Sequence, residues 1–147
     1  RFIRGQPHET TFVSPLFIDH KPRLNVPDFT IPALFQLIVA VGLLNVWLLR
    51  SRSATSYRGD QAKSLKEEFD AYGLPSIAFF IVGALKIGAG IALLVGFWLP
   101  NLIRPSAMIV AVLMVGAIIM HVKVKDPIMK SVPAILMLLM SAGILWL

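Results

Sequence analysis

The chain has no cysteine among its 147 residues. That single absence removes disulfides, iron–sulfur clusters, covalently attached c-type haem and thiol chemistry. Acidic side chains are also few, eight against fourteen Lys and Arg. None lies inside a long apolar run, so neither a carboxylate proton relay nor a paired acid/base site has obvious members there. An internal repeat is missing too: the first two apolar runs do not resemble the last two, which takes away the inverted-repeat signature of many secondary transporters. What the chain does have is apolar surface. Its hydrophobic fraction of 56% and mean hydropathy of +0.76 lie well outside the soluble range.

The apolar residues fall in four runs, Ile31–Leu49, Pro75–Leu99, Ile103–His121 and Ile128–Leu147. Each is near the ~20 residues a helix needs to cross hydrocarbon. Membrane strands would be about half as long with alternating polarity, so a barrel is excluded. The expected fold is all-α: an integral membrane four-helix bundle with spans at about residues 31–50, 75–99, 103–122 and 127–147. The net charge of +6 sits at the ends of these spans and not on a soluble face, which makes the bilayer the expected partner and excludes nucleic acid.

Residues 1–30 read as an extended N-terminal arm. Pro7, Pro15, Pro22 and Pro27 prevent a long helix or an inner strand. Phe2, Ile3, Phe12, Val13, Leu16, Phe17, Ile18 and Phe29 are too many apolar groups for a solvated tail. Either a partner receives them, or the arm folds back on its own bundle or the lipid headgroups. The chain opens at Arg1 and stops within an apolar run at Leu147, so a processed or partial product is expected.

After the first span, Leu65, Phe69 and Tyr72 fall at i, i+4 and i+7, with Lys63, Lys66, Glu67, Glu68 and Asp70 around them. This spacing predicts a short amphipathic helix at the membrane interface, with Ser64 and Glu67 as a capping box and Gly73 as its end. Between the third and fourth spans, "HVKVKDP" reads as a tight turn with Asp126 as N-cap and Pro127 at the first helical position. Basic residues number five on the side of the termini and eight on the other. The positive-inside rule therefore puts loops 50–74 and 123–130 on the cytoplasmic, stromal or matrix side. Trp47, Trp98 and Trp146 fall near span ends, where indoles favour the interface.

The second span carries Ala84, Gly88, Ala92 and Gly96 at spacing four, a helix-packing stripe of small residues. Lys86 lies about 200° round the helix from Gly88 and needs its own explanation. Leaning toward the helix start, its ammonium sits about 10 Å below the span end. Asn45 lies roughly 7–8 Å from the same boundary, and His121 leans inward from it, so Asn45, Lys86 and His121 form a candidate polar layer. Two readings stay open: Lys86 snorkels or is held by Asn45 and free carbonyls, or the layer binds an anionic or carbonyl-bearing group such as a quinone head, lipid phosphate or pigment substituent. His121 reads first as a helix-end cation, and His8 and His20 lie in the arm on the opposite side, so neither a metal site nor a paired haem site is expected. Met108, Met114, Met120, Met129, Met137 and Met140 are scattered as adaptable packing.

Three stretches, "YGLP", "IVGALKIGAGIALLVGFWLP" and "MVGAIIMHVKVKDPIMKSVPAILMLLM", resemble the DoxX-like family of small four-helix membrane proteins. The resemblance covers about residues 33–147 and is most telling from Gly116-Ala117 through His121 and Asp126-Pro127 to Pro133-Ala134. Many members have Glu where Lys86 stands, and the Pro-rich arm is not part of the family pattern. The resemblance implies a protein accessory to membrane redox enzymes, with no agreed catalytic residues. The expectation is thus a non-catalytic accessory subunit of a respiratory or photosynthetic redox complex, in a bacterial inner, thylakoid or mitochondrial inner membrane. No intrinsic cofactor is expected; lipid, quinone or pigment would come with partner subunits. The alternative is a quinone-handling redox protein or small-solute carrier using Asn45, Lys86 and His121.

Overall fold

The computed structural model describes residues 29–147, so the arm expected over residues 1–30, with His8 and His20, falls almost wholly outside the described residues. Five helices and no strand make up what is described. Helix α1 (Ile31–Leu44) starts at Thr30, whose hydroxyl accepts from the Ala33 N–H, with Pro32 in the first turn where its missing donor costs nothing. It continues into a π turn, Asn45–Leu49, closed by the Arg50 N–H donating to the Asn45 carbonyl at 2.9 Å. Then come α2 (Leu65–Ala71), α3 (Ser76–Val95), a 3₁₀ turn (Pro100–Leu102), α4 (Ile103–Lys123) and α5 (Ile128–Trp146). Four segments are long and apolar enough to span a membrane: Ile31–Leu49, Ser76–Val95, Pro100–Lys123 and Ile128–Trp146. Each overlaps one of the four apolar runs of the sequence.

The spans close into a ring: α1 packs on α3, α3 on α4, α4 most extensively on α5, and α5 returns to α1. Small and branched residues line the interior, among them Val39, Ala40, Leu43, Ala89, Leu93, Ala107, Val110 and Ala134. In lipid the hydrophobic effect does not drive helices together, so close van der Waals packing between such residues does. Leu37, Ile38, Val41, Ile81, Val112, Val115, Ile119, Leu136 and Leu139 point outward, as an acyl-chain environment requires.

Three expectations need correction. Of the proposed stripe, Ala84 and Gly88 face outward, Ala92 is half-buried and only Gly96 is buried. A side chain at Gly88 would meet nothing among the described residues, whereas Gly96 leaves room for Ile103 and for Gln36. The glycines that admit α1 are Gly83, against the Trp47 ring, and Gly90, against Leu44 and the Ala40 carbonyl. They lie on another face of α3, because the ring of helices presents that face inward. Secondly, Trp47 is no interfacial indole: the π turn brings it inward to 7% exposure while Leu48 and Leu49 stay outside. Thirdly, α2 is amphipathic, but its apolar face is covered by protein and not by lipid. Leu65 and Phe69 cluster with Trp47, and Phe69 meets the Trp47 and Phe79 rings edge-on at 6.1 and 5.5 Å.

The boundaries of α2 follow the sequence. Ser64 caps it by accepting from the Glu67 N–H, and the Glu67 carboxylate accepts from the Lys63 N–H at 2.8 Å. At the other end Gly73, at φ 72°, makes the left-handed turn that lets its own N–H reach Asp70 and the Leu74 N–H reach Phe69.

A methyl at Gly83 would come within 2.6 Å of the Trp47 ring, while Gly88 is open. Gly83→Ala should therefore cost about 1–3 kcal/mol through overpacking, and Gly88→Ala should be neutral or stabilising by up to ~1 kcal/mol. Thermal unfolding of both variants in mild detergent checks the pair.

Candidate functional site

The polar groups that the fold gathers lie where α2 meets the turn between α4 and α5. Glu68 and Asp126 both come from segments that connect the spans, yet Glu68 is buried and Asp126 is half-buried with a side chain only 5% exposed. Carboxylates are thus delivered to the end of the bundle from outside the spans, which a search within apolar runs does not see.

Each carboxylate accepts from three donors. Glu68 takes the Gly59 N–H at 2.7 Å and the Tyr72 hydroxyl at 2.8 Å on one oxygen, and the Arg58 guanidinium at 3.4 Å on the other. Asp126 takes the Asp60 N–H at 3.1 Å and the Lys130 ammonium at 3.2 Å on one oxygen, and His121 Nδ1 at 2.9 Å on the other. Because an ionised carboxylate only accepts, Nδ1 of His121 carries a proton. The same nitrogen lies 3.3 Å from the Tyr72 oxygen, so one chain of contacts runs from Lys130 through Asp126, His121 and Tyr72 to Glu68.

Two adjacent amides, those of Gly59 and Asp60, are therefore held by two carboxylates from different parts of the chain. The turn they fix is unusual, with φ of 46° at Asp60 and 60° at Gln61. Such conformations cost non-glycine residues free energy and persist where surrounding contacts over-determine them. Gly59 itself admits no side chain, since a Cβ would lie 2.7 Å from the Tyr72 ring. Arg58 completes the turn by donating to the Ser53 and Arg50 carbonyls at 3.1 and 2.6 Å. Lys123 donates to the Tyr72 carbonyl at the C-terminal end of α2, where a cation is favoured.

Burial, and then the Glu68 carboxylate, push the Tyr72 hydroxyl far above the ordinary phenol range, which keeps it a donor to Glu68. Burial raises the Asp126 carboxyl, but hydrogen bonds from His121, the Asp60 amide and Lys130 together outweigh it and hold the group below its usual range.

The expected layer of Asn45, Lys86 and His121 is not joined by any hydrogen bond among the described residues. His121 belongs to the clamp. Asn45 is half-buried and uses its carbonyl to close the π turn. Lys86 is half-buried, with its ammonium 5.5 Å from the centre of the Trp47 ring, a cation–π seat. The N-cap expected at Asp126 is also different: Pro127 occupies that position without a side-chain cap, because the Asp126 carboxylate is turned back toward Asp60 and His121. Among the described residues no group of His, Asp and Glu has metal-site geometry.

Sequence reasoning missed Arg58, Glu68 and Gln36 as buried residues and took Tyr72 for part of a lipid-facing surface. Glu68 had a signal: with Leu65, Phe69 and Tyr72 it shares one helical face, at i+3 from the first. Gln36, buried inside α1, donates to the Leu93 carbonyl of α3 at 2.6 Å.

A family model described as the DoxX-like family matches residues 38–143. Neither a curated protein nor a solved structure matches the chain.

Asp126 gives a sign for the pH dependence. Its folded pKa lies below the unfolded value, so its contribution to stability is complete above about pH 4 and is lost as pH falls through the folded pKa. Asp126→Asn should cost about 1–3 kcal/mol near neutrality, because it removes the negative charge facing Lys130 and replaces one of the two acceptor oxygens by a donor amide, and should flatten the acid limb. Thermal unfolding in detergent from neutral to strongly acidic pH, wild type against variant, measures both.

Proposed function

Since the chain belongs to the DoxX-like family, we propose that it is a non-catalytic accessory subunit of a larger membrane redox assembly, respiratory or photosynthetic. One observation carries this reading: the buried titratable groups at the end of the bundle are spent on one another. Glu68, Asp126, Tyr72, His121 and Arg58 fasten a loop to a turn, an arrangement suited to a stable membrane scaffold. The apolar arm of residues 1–30 supplies the second element, a segment whose Phe, Ile and Leu side chains suit a protein partner. Integral membrane placement follows from the family and the four apolar helices. We further propose a bacterial inner, thylakoid or mitochondrial inner membrane, with loops 50–74 and 123–130 on the cytoplasmic, stromal or matrix side, where eight basic residues gather.

Lys86 favours a second reading. Its ammonium has an aromatic ring for company and no hydrogen-bond acceptor among the described residues, so a carbonyl-bearing or anionic small molecule, such as a quinone, would complete its coordination. On that reading the chain handles a quinone or a small solute.

The two readings part in one experiment, the identification of all proteins and small molecules that co-purify in mild detergent. Deleting residues 1–28, which leaves the Thr30 cap intact, should release the partner subunits while the four-helix core still inserts; undiminished co-purification would defeat the accessory reading. Lys86→Met should leave both partners and small molecules unchanged, whereas loss of a retained small molecule would favour the second reading.

A further inference from the structure

Beside the clamp, the loop after α1 and Lys130 at the start of α5 border an open hollow of about 390 Å³. Thr55, Ser56, Arg58, Gln61, Lys63 and Lys130 are among the residues that line it, and no acidic residue does. The three cations are not equally spent. Arg58 faces Glu68, and Lys130 gives one of its three N–H bonds to Asp126. Lys63 is exposed and has no ion pair among the described residues. The hollow therefore holds a cationic excess, spare ammonium donors and two hydroxyls, a donor set that suits a phosphate.

Its depth selects the kind of phosphate. Lys130 is the third residue of α5, so the hollow opens within about 5 Å of the level where that span enters the hydrocarbon, which is headgroup level. On the same side Leu48 and Leu49 at the end of α1, and Ile128 and Met129 at the start of α5, are exposed by 57%, 77%, 74% and 62%. Basic recesses at this depth, next to lipid-facing apolar residues, match the two parts of an anionic lipid: a phosphodiester above, acyl chains below.

We propose that this hollow binds the phosphodiester headgroup of an acidic phospholipid, with Lys63 and Lys130 as its principal cations and the Thr55 and Ser56 hydroxyls as additional donors. The site borders the clamp and shares Arg58 and Lys130 with it, and it does not depend on which assembly the chain joins.

The test is native mass spectrometry of the whole chain in mild detergent, with phosphatidylglycerol or phosphatidylcholine added at equal concentration. Phosphatidylglycerol should remain bound and phosphatidylcholine should not. Lys63→Glu should lower phosphatidylglycerol retention by about fivefold or more. Lys66→Glu makes the same charge change on an exposed helical position outside the hollow, and should leave retention within about twofold of wild type by the same scale. Equal loss in both variants would mean diffuse surface charge and would overturn the proposal. So would equal retention of the two lipids, or retention unaffected by Lys63→Glu. Displacement of the lipid by millimolar inorganic phosphate would assign the site to a free anion and overturn the lipid assignment. Circular dichroism of each variant establishes that the helices are intact.

Discussion

Two neighbouring backbone amides, each gripped by a buried carboxylate, hold the membrane-surface end of this protein together. Glu68 reaches the Gly59 amide from a helix nine residues later, and Asp126 reaches the Asp60 amide from the last interhelical turn. An unpaired amide or carboxylate in such a place would be costly, so the arrangement is stable only as a whole. Tyr72 and His121 bridge the two grips, and Arg58 and Lys130 balance the charges. Through these contacts α2 is fixed on the bundle, and through α2 the aromatic cluster of Trp47, Phe69 and Phe79 is closed.

That cluster explains how a lysine is carried at mid-bilayer depth. The π turn rotates Trp47 inward, the missing side chain at Gly83 gives its indole a place, and the ring face then receives the Lys86 ammonium. A straight α-helical continuation would carry different residues past α3.

The parts of this fold that were legible in the sequence are those governed by local rules. Twenty-odd apolar residues specify a span, Ser64 with Glu67 specifies a helix start, and Gly73 specifies a helix end. The site was less legible because its members come from four separate segments, and pairing between distant segments has no local signature. Glu68 was hidden by its charge, which reads as a solvated face unless its register with Leu65, Phe69 and Tyr72 is considered. Trp47 was misplaced because regular helical spacing does not foresee a π turn, and the small-residue stripe was misassigned because sequence spacing shows that a face is smooth without showing what it meets. Asp126 was seen as a cap; the cap position falls one residue later, at Pro127, and the Asp126 carboxylate is engaged by Asp60 and His121 instead.

The partner of the Asp60 amide lies 66 residues further along the chain. A ribosome feeding this protein into a membrane delivers the surface loop and α2 well before Asp126 exists, and chains fold from the N-terminal end as they emerge. The nearer grip, from Glu68, can close early, but the second must wait until the last hairpin is threaded. Biogenesis thus passes through a stage in which three helices are in place and the loop is held by one hand, and arrival of the final pair is what locks it.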